Sequence, residues 1–291
     1  MNKYKLIAID IDGTLLNSYG DLSLENKNAI QNAVKKGIKV VLTSGRMPES
    51  VKSLSEELSA NEYIIAGNGT LIYDLKKNEN IYENNIPEEK LSKIIEICEQ
   101  NSIYYSLYTA DSIIASSLNY NVLYYNFENS KKNENKKTNI NIVDNIPEYI
   151  KENNVKVLKI TICDSHKAIF DRIITKLRQI SNIEVLDVGH MSRKVIKSGT
   201  EDVNIEYSYT EISNKNTNKW YAIEYLIEKL GIEKNEVIAI GDNINDKLMV
   251  ENAGLGVAMG NSALSSMNIG DYTTLDNNSS GVSNAINKFI D

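Results

Sequence analysis

The sequence predicts an α/β protein whose core is a parallel sheet with crossover helices, interrupted by an inserted α+β unit. Three observations carry this expectation. The beginning and the end of the chain alternate short apolar runs with amphipathic stretches, the rhythm of strands joined by crossover helices. Several of these runs end in polar, glycine-bearing clusters, as strands do where they turn out of a buried sheet. The middle, from about Tyr82 to Tyr209, breaks the rhythm and contains no internal repeat.

Leu6–Ile9 is a short apolar run ending at Asp10 and Gly13 and reads as a buried strand. Ser23 is placed to cap a helix whose positions Ala29, Ile30, Ala33 and Val34 share one face, with Gly37 as its stop. Ile38–Leu42 is the next strand, ending at Thr43-Ser44-Gly45-Arg46, and Pro48 suits the first turn of a second helix. Tyr63–Ala66 is a third strand, ending at Gly67-Asn68-Gly69.

In the middle, a helix is expected after Pro87, strands near Tyr104–Leu107 and Ile113–Ala115, and a helix near Tyr120–Phe127. A polar Lys/Asn run from Ser130 to Asn139 reads as a solvated loop. A strand at Val155–Ile162, a helix at Lys167–Ile180 and strands near Glu184–Val188 and Val203–Tyr207 follow. The tail returns to alternation. Ala222, Ile223, Leu226, Ile227 and Leu230 form a helical stripe closed by Gly231, and Val237–Ile240 is a strand ending at Gly241-Asp242. A helix over about Asp246 to Asn252, a strand at Leu255–Met259 and a final helix at Val282–Ile290 complete the chain.

Composition narrows the function classes. At 291 residues the chain exceeds the size at which one core keeps growing, so two domains are expected. Hydrophobic residues make up 42% and charged residues 24%, an ordinary globular balance. The net charge of -7 argues against a general nucleic-acid binder, which needs basic surface to release counterions. It leaves room for an anionic small molecule, because a metal and a few cations set the field of a cleft. No stretch has signal-peptide or membrane length. Cys98 and Cys163 lie far apart in apolar surroundings and read as buried reduced thiols. A cytoplasmic location is the expectation.

Ligands of parallel sheets bind outside the carboxyl ends of the strands. Four clusters fall at such ends: Asp10-Ile11-Asp12-Gly13-Thr14, Ser44-Gly45-Arg46, Asn68-Gly69, and Gly241-Asp242-Asn243-Ile244-Asn245-Asp246. At least three carboxylates thus meet on one rim, where they repel unless a cation neutralises them or one stays protonated. A hard divalent ion suits such a rim, and magnesium uses few carboxylates while keeping waters. A calcium loop of the EF-hand kind is excluded, since the glycine stands fourth rather than sixth and a buried strand precedes it.

Asp10-Ile11-Asp12-Gly13-Thr14-Leu15-Leu16, Ser44-Gly45-Arg46, Lys219 and Gly241–Asp246 resemble the four ordered motifs of the haloacid dehalogenase superfamily. Asn68–Asp74 and Ala253–Asn261 resemble its Cof-type capped phosphatase subgroup. The resemblance implies a Rossmann-like doubly wound core at 1–82 and 210–291, with 83–209 as an inserted α+β cap that sets substrate specificity. It implies Asp10 as nucleophile, forming an aspartyl-phosphate, and Asp12 as acid and then base. Asp10, the backbone carbonyl of Asp12 and Asp242 would hold Mg2+, with Asp246 in support. Phosphate oxygens would meet the Ser44 hydroxyl, the amides of Ile11 and Gly45, Lys219 and Asn245, with Arg46 reaching the phosphate or the rest of the substrate.

This chain departs from the family at its third motif. The family usually flanks that lysine with glycine, whereas the run here is Asn214-Lys215-Asn216-Thr217-Asn218-Lys219-Trp220. Trp220 stands where a small residue is usual, so it either crowds the helix start or packs under the cap, and Lys215 is the second candidate for the lysine. His166 and His190 have no metal-ligand spacing; His166 reads as helix surface. His190, beside Arg193 and Lys194, reads as cap loop. Tyr104, Tyr105, Tyr108, Tyr124 and Tyr125 read as packing residues of the cap.

The expected activity is magnesium-dependent hydrolysis of a phosphate monoester on a small metabolite, a sugar phosphate or a phosphorylated cofactor. The expected partner is that small molecule, with no nucleic acid and no membrane. Two other readings stand beside it. A phosphomutase would return the phosphoryl group and would need a second cationic cluster, which the sequence does not offer. A non-hydrolytic phosphate-binding regulatory protein would not need a carboxylate two residues after the nucleophile, and Asp12 supplies one.

Overall fold

The computed structural model describes residues 3–58, 62–134, 137–186, 192–198 and 201–290. The chain divides into two compact units, Met1–Glu83 with Thr217–Asp291, and Asn84–Asn216. In the first segment, strand β1 (Leu6–Asp10) is followed by helix α1 (Leu24–Lys35), β2 (Lys39–Thr43), α2 (Pro48–Leu58), β3 (Tyr63–Ala66), β4 (Leu71–Asp74) and β5 (Glu79–Glu83). The inserted unit contains α3 (Glu88–Gln100), β6 (Tyr104–Tyr108), β7 (Ser112–Ala115), α4 (Tyr120–Asn129), β8 (Asn139–Ile142) and α5 (Ile146–Glu152). It continues with β9 (Lys159–Asp164), α6 (Lys167–Leu177), β10 (Ile183–Val185), β11 (Ser192–Ser198) and β12 (Glu201–Asn214). The return to the first unit brings α7 (Lys219–Leu230), β13 (Val237–Gly241), α8 (Lys247–Asn252), β14 (Leu255–Ala258), α9 (Ala263–Ser266), β15 (Tyr272–Thr273) and α10 (Gly281–Ile290).

The first unit is built on an eight-stranded sheet among the described residues, in the order β15-β14-β13-β1-β2-β3-β4-β5. Neighbours from β15 to β3 run parallel, while β4 and β5 extend the edge as an antiparallel hairpin. Every residue of β1 and β13 is buried, as expected of central strands covered on both faces. Alternate strand residues Leu6, Ala8, Val41, Ile65 and Ala239 join Trp220, Ile223, Leu226 and Met249 of α7 and α8 in one apolar cluster. Helices α1 and α10 pack together elsewhere on the unit. The Ser23 side chain accepts from the Asn26 N–H and so caps α1. From β1 the chain builds outward to β2 and β3 and later to β13 and β14 on the other side. The order therefore reverses at β1, the position where a doubly wound sheet opens its ligand crevice.

The inserted unit has its own sheet, ordered β10-β12-β9-β6-β7-β8, with β11 folded back along β12. All described pairings in it are antiparallel except β7 with β8. Leu91, Ile94, Leu107, Ile160, Ile162, Phe170, Ile174 and Ile212 make its apolar core beneath α3 and α6. Tyrosine rings contact one another around α4, as in Tyr104 with Tyr120 and Tyr108 with Tyr125. Cys98 and Cys163 are buried and free, and burial pushes the Cys98 thiol up to about 12.

Four expected elements shift. The apolar run at Val155–Ile162 pairs only from Lys159, where the ladders to β6 and β12 begin. Lys159 interrupts that run yet is buried, because Glu211 on β12 accepts from it at 2.6 Å. Asn139, the last residue of the polar run, begins β8 rather than ending a loop. The strand expected near Val203–Tyr207 is the middle of the much longer β12, and the expected strand to Val188 passes beyond the described residues.

Candidate active site

Asp10 ends β1 and is buried. On the neighbouring strand β13, Gly241 and then Asp242 follow, so two carboxylates leave adjacent strand ends at the reversal point. Asp246 arrives through a single 3-10 turn, Ile244–Asp246, whose start Asn243 caps. One Asp246 oxygen accepts from the backbone N–H groups of Asp242 at 3.0 Å and Asn243 at 3.1 Å. The other accepts from Lys219. A carboxylate with both oxygens committed in this way is a rigid anion.

Lys219 is the first residue of α7 and is fully buried. The Asn218 side chain caps the helix by accepting from the Tyr221 N–H at 3.0 Å. The Lys219 ammonium donates to Asp10 and to Asp246. Burial opposes its charge, but the charges of Asp10 and Asp246 hold its pKa above the ordinary lysine value. Asp10 moves up: burial first, then the charge of Asp246, push its carboxyl well above the usual range, and Lys219 offsets only part of this. Asp242 is raised to about 6, by burial and then by Asp246.

The oxygens of Asp10, Asp242 and Asp246 lie within 4.8 Å of one another. Three carboxylates face one ammonium, which leaves two negative charges uncompensated when all are ionised. Raised carboxyl pKa values are the expected response to that surplus. The donor set therefore fits a divalent cation with oxygen preference.

The remaining expected residues occupy the loops around this triad. Thr14 is buried, and its hydroxyl donates to Asp242 Oδ1 at 2.8 Å. Gly13 has φ +81°, and a Cβ there would stand 2.5 Å from Asp242 Oδ2, so only glycine lets the loop approach that carboxylate. Ser44 is buried, and its Oγ accepts from the Arg46 N–H at 3.1 Å, which leaves the hydroxyl proton free to donate elsewhere. Arg46, expected at the phosphate or the rest of the substrate, donates to both carboxylate oxygens of Asp12. Asp12 is not a member of the carboxylate triad. Ile11 follows β1 directly and Gly45 stands two residues past the end of β2, so their amides lie at the sheet's carboxyl edge.

The Asn245 amide donates to Asn68 Oδ1 at 3.0 Å, and the Asn68 N–H donates to the Ser44 carbonyl at 2.8 Å. Asn68 thereby ties the second strand-end loop to the last. The sequence places Asn68 and Thr14 in the strand-end clusters without assigning either a role. Asn68 carries a visible signal: it stands between Gly67 and Gly69 and adopts φ 58°, a conformation asparagine tolerates. Gly69 presses against the start of α7, where an added Cβ would lie 2.2 Å from the Asn218 carbonyl oxygen.

Trp220 does not crowd this cluster; it is buried in the apolar core of its own unit beside Ile223. Lys215, the second candidate, is exposed near the end of the inserted unit. His166 is exposed ahead of α6, and His190 lies outside the described residues.

A family model described as haloacid dehalogenase-like hydrolase matches residues 7–286. The chain is 29% identical over 293 residues to the phosphatase YwpJ of Bacillus subtilis, covering 98% of this chain and 100% of that protein. It is 29% identical over 287 residues to the 5-amino-6-(5-phospho-D-ribitylamino)uracil phosphatase YcsE of the same organism, covering 98% of this chain and 96% of YcsE. A solved haloacid dehalogenase-like hydrolase from B. subtilis superposes with a TM-score of 0.78 at 27% identity, covering 98% of this chain and 100% of that one. Among the described residues no helix is long and apolar enough to cross a membrane. With the family model spanning nearly its whole length, the chain belongs to the haloacid dehalogenase-like hydrolases, in their Cof-type group.

Proposed function

We propose that this phosphatase hydrolyses a small phosphorylated metabolite through a covalent aspartyl-phosphate on Asp10. The observation that carries the proposal is Asp10 itself, buried at the reversal point of the sheet between the Lys219 ammonium and two further carboxylates. Asp10 attacks phosphorus, the bond to the ester oxygen breaks, and that oxygen takes a proton from Asp12. A water then gives its proton to Asp12 and attacks the same phosphorus, releasing inorganic phosphate and restoring Asp10. The Ser44 hydroxyl, the amides of Ile11 and Gly45, the Asn245 amide and Lys219 hold the phosphate oxygens in line.

Asp10, Asp242 and the Asp12 carbonyl would hold Mg2+, with Asp246 behind them. When bound, the cation supplies the positive charge that three carboxylates and a phosphate require. Lys219 supplies a second, fixed positive charge and keeps Asp10 and Asp246 apart from mutual repulsion.

The substrate class is a sugar phosphate or a phosphorylated cofactor or its precursor. The name of the relative YcsE, which carries a 5-phospho-D-ribitylamino group, supports that class. We assign substrate selection to the inserted unit. A cytoplasmic setting is supported by the two buried free thiols. The test is release of inorganic phosphate from a panel of phosphorylated metabolites, with magnesium or with EDTA, for wild type and Asp10→Asn. Release that needs magnesium and disappears in Asp10→Asn is expected. No release by folded, magnesium-loaded wild type would overturn the reading.

A further inference from the structure

Strands β1 and β2 are parallel neighbours, with Asp10 opposite Thr43. The loops that carry Asp12 and Arg46 therefore leave the sheet side by side. There Arg46 closes a two-pronged pair on Asp12. Its Nε donates to Oδ2 at 2.8 Å and its Nη2 donates to Oδ1 at 2.5 Å. The arginine is itself braced: its N–H donates to Ser44 Oγ, and its carbonyl accepts from the Gly67 N–H at 3.0 Å. Nη1 reaches Ser50 Oγ on α2 at 3.5 Å.

Both oxygens of Asp12 are thus engaged by one rigid fork. A bidentate guanidinium fixes the plane of a carboxylate, which a lysine's point charge does not. The pair is also solvated, with the Asp12 side chain 60% and the Arg46 side chain 32% exposed. Exposed pairs cost little to break. The contact therefore has the two properties of a holder: defined geometry and easy release. A guanidinium committed to the phosphate would instead be expected to face the buried triad.

We propose that Arg46 is a positioning residue that acts on the reaction through Asp12: it holds the Asp12 carboxylate in a fixed plane beside the nucleophile and releases it when a phosphoester occupies the site. The inference rests on the reading of Asp12 as the group that protonates the leaving oxygen. Ser44 links the two tasks, since its Oγ accepts from the Arg46 backbone while its hydroxyl proton remains available to the phosphate. Arg46 contributes no proton and no bond to phosphorus.

Two aryl esters of similar shape separate this role from phosphate binding. Nitrophenolate leaves without a proton, whereas phenolate needs one. The experiment compares kcat/KM for p-nitrophenyl phosphate and phenyl phosphate, and inhibition by inorganic phosphate, in magnesium-loaded protein. The variants are wild type, Arg46→Lys, Arg46→Ala, Asp12→Asn and the Arg46→Ala/Asp12→Asn double variant.

Arg46→Ala is expected to lower kcat/KM for phenyl phosphate by about 100-fold, in the range of lost acid catalysis. The p-nitrophenyl ester should lose less than about tenfold, because its first step needs little proton donation. Inhibition by phosphate should hardly change, and the double variant should be no slower than Asp12→Asn. Arg46→Lys, which keeps the charge and loses the fork, should retain the defect on phenyl phosphate. Equal losses on both esters, weaker inhibition by phosphate and an Arg46 effect that persists in Asp12→Asn would overturn the inference and place Arg46 on the phosphate. Wild-type rates in Asp12→Asn would instead overturn the acid–base reading of Asp12, and the role of Arg46 with it.

Discussion

The hydroxyl of Thr14 donates to Asp242 Oδ1 at 2.8 Å across 228 positions of chain. The bond ties the loop after β1 to the loop after β13 and orients a carboxylate expected to hold the metal. Thr14→Val keeps the shape and removes the donor. Loss of an oriented supporting group weakens metal sites by about 10- to 100-fold. Thr14→Val is therefore expected to raise the magnesium concentration that half-protects the protein against thermal unfolding by at least about tenfold. An unchanged midpoint would mean that Asp242 is held by other contacts.

Lys219→Met removes the ammonium that the buried carboxylates of Asp10 and Asp246 share beside half-buried Asp242. Deleting one partner of a buried pair leaves uncompensated charge, at a cost of about 3–5 kcal/mol. The metal-free variant should be destabilised by that order in urea, and magnesium should restore more stability to it than to wild type. Turnover should fall by at least about 100-fold in the folded, metal-loaded variant, since a fixed charge at the phosphate is gone. Wild-type stability without metal would contradict the electrostatic account.

The raised carboxyl of Asp242 predicts a pH dependence. Its folded pKa of about 6 lies above the ordinary 3.8, by burial and then by the charge of Asp246. Between those values the folded state keeps a proton that the unfolded chain has lost. Stability of the metal-free protein is thus lost as pH rises through that window, by about 3 kcal/mol at most from this group. Asp10 acts with the same sign. Urea unfolding in EDTA at about pH 4.5 and about pH 7, compared between wild type and Asp242→Asn, isolates the effect. Asp242→Asn should be the less sensitive to the rise. Magnesium should flatten the wild-type slope, because it stabilises the ionised forms.

Trp220→Ala puts a small residue at the start of α7, and the structure predicts a loss. The indole is 5% exposed and packed in the cluster of Leu6, Ile223 and Leu226. Truncating such a side chain costs about 3–5 kcal/mol. Denaturation should show that loss while kcat of the folded fraction stays near wild type. A fall in kcat without a fall in stability would mean that Trp220 acts on Lys219 rather than on the core.

The central strands and their terminal clusters are legible in the sequence because a fully buried strand leaves an unbroken apolar run that stops at a polar rim, as Leu6–Ile9 stops at Asp10. The edge strands are not. β5 and β8 are largely exposed, and Glu79–Glu83 and Asn139–Ile142 lack the apolar run that marks a buried strand. The full length of β12 is hidden because polar residues such as Glu206, Ser208, Thr210 and Glu211 break any apolar run along it. Within the site, Asp10, Asp242 and Asp246 announce themselves by strand-end position. Contacts such as Arg46 with Asp12 and Asn245 with Asn68 arise only when loops far apart in sequence fold against one another. Lys219 was distinguishable from Lys215 only by where α7 begins.

The slot at Gly69 has a consequence for how such proteins could exchange parts. The inserted unit ends at Asn216, and the returning chain passes within two residues under a glycine that leaves no space for even one methyl group against Asn218. A recombinant that receives a foreign insert between Glu83 and Thr217 must still return the chain so that Asn218 enters this slot. The point at which the chain re-enters its core is thus set by a few backbone atoms of the core itself.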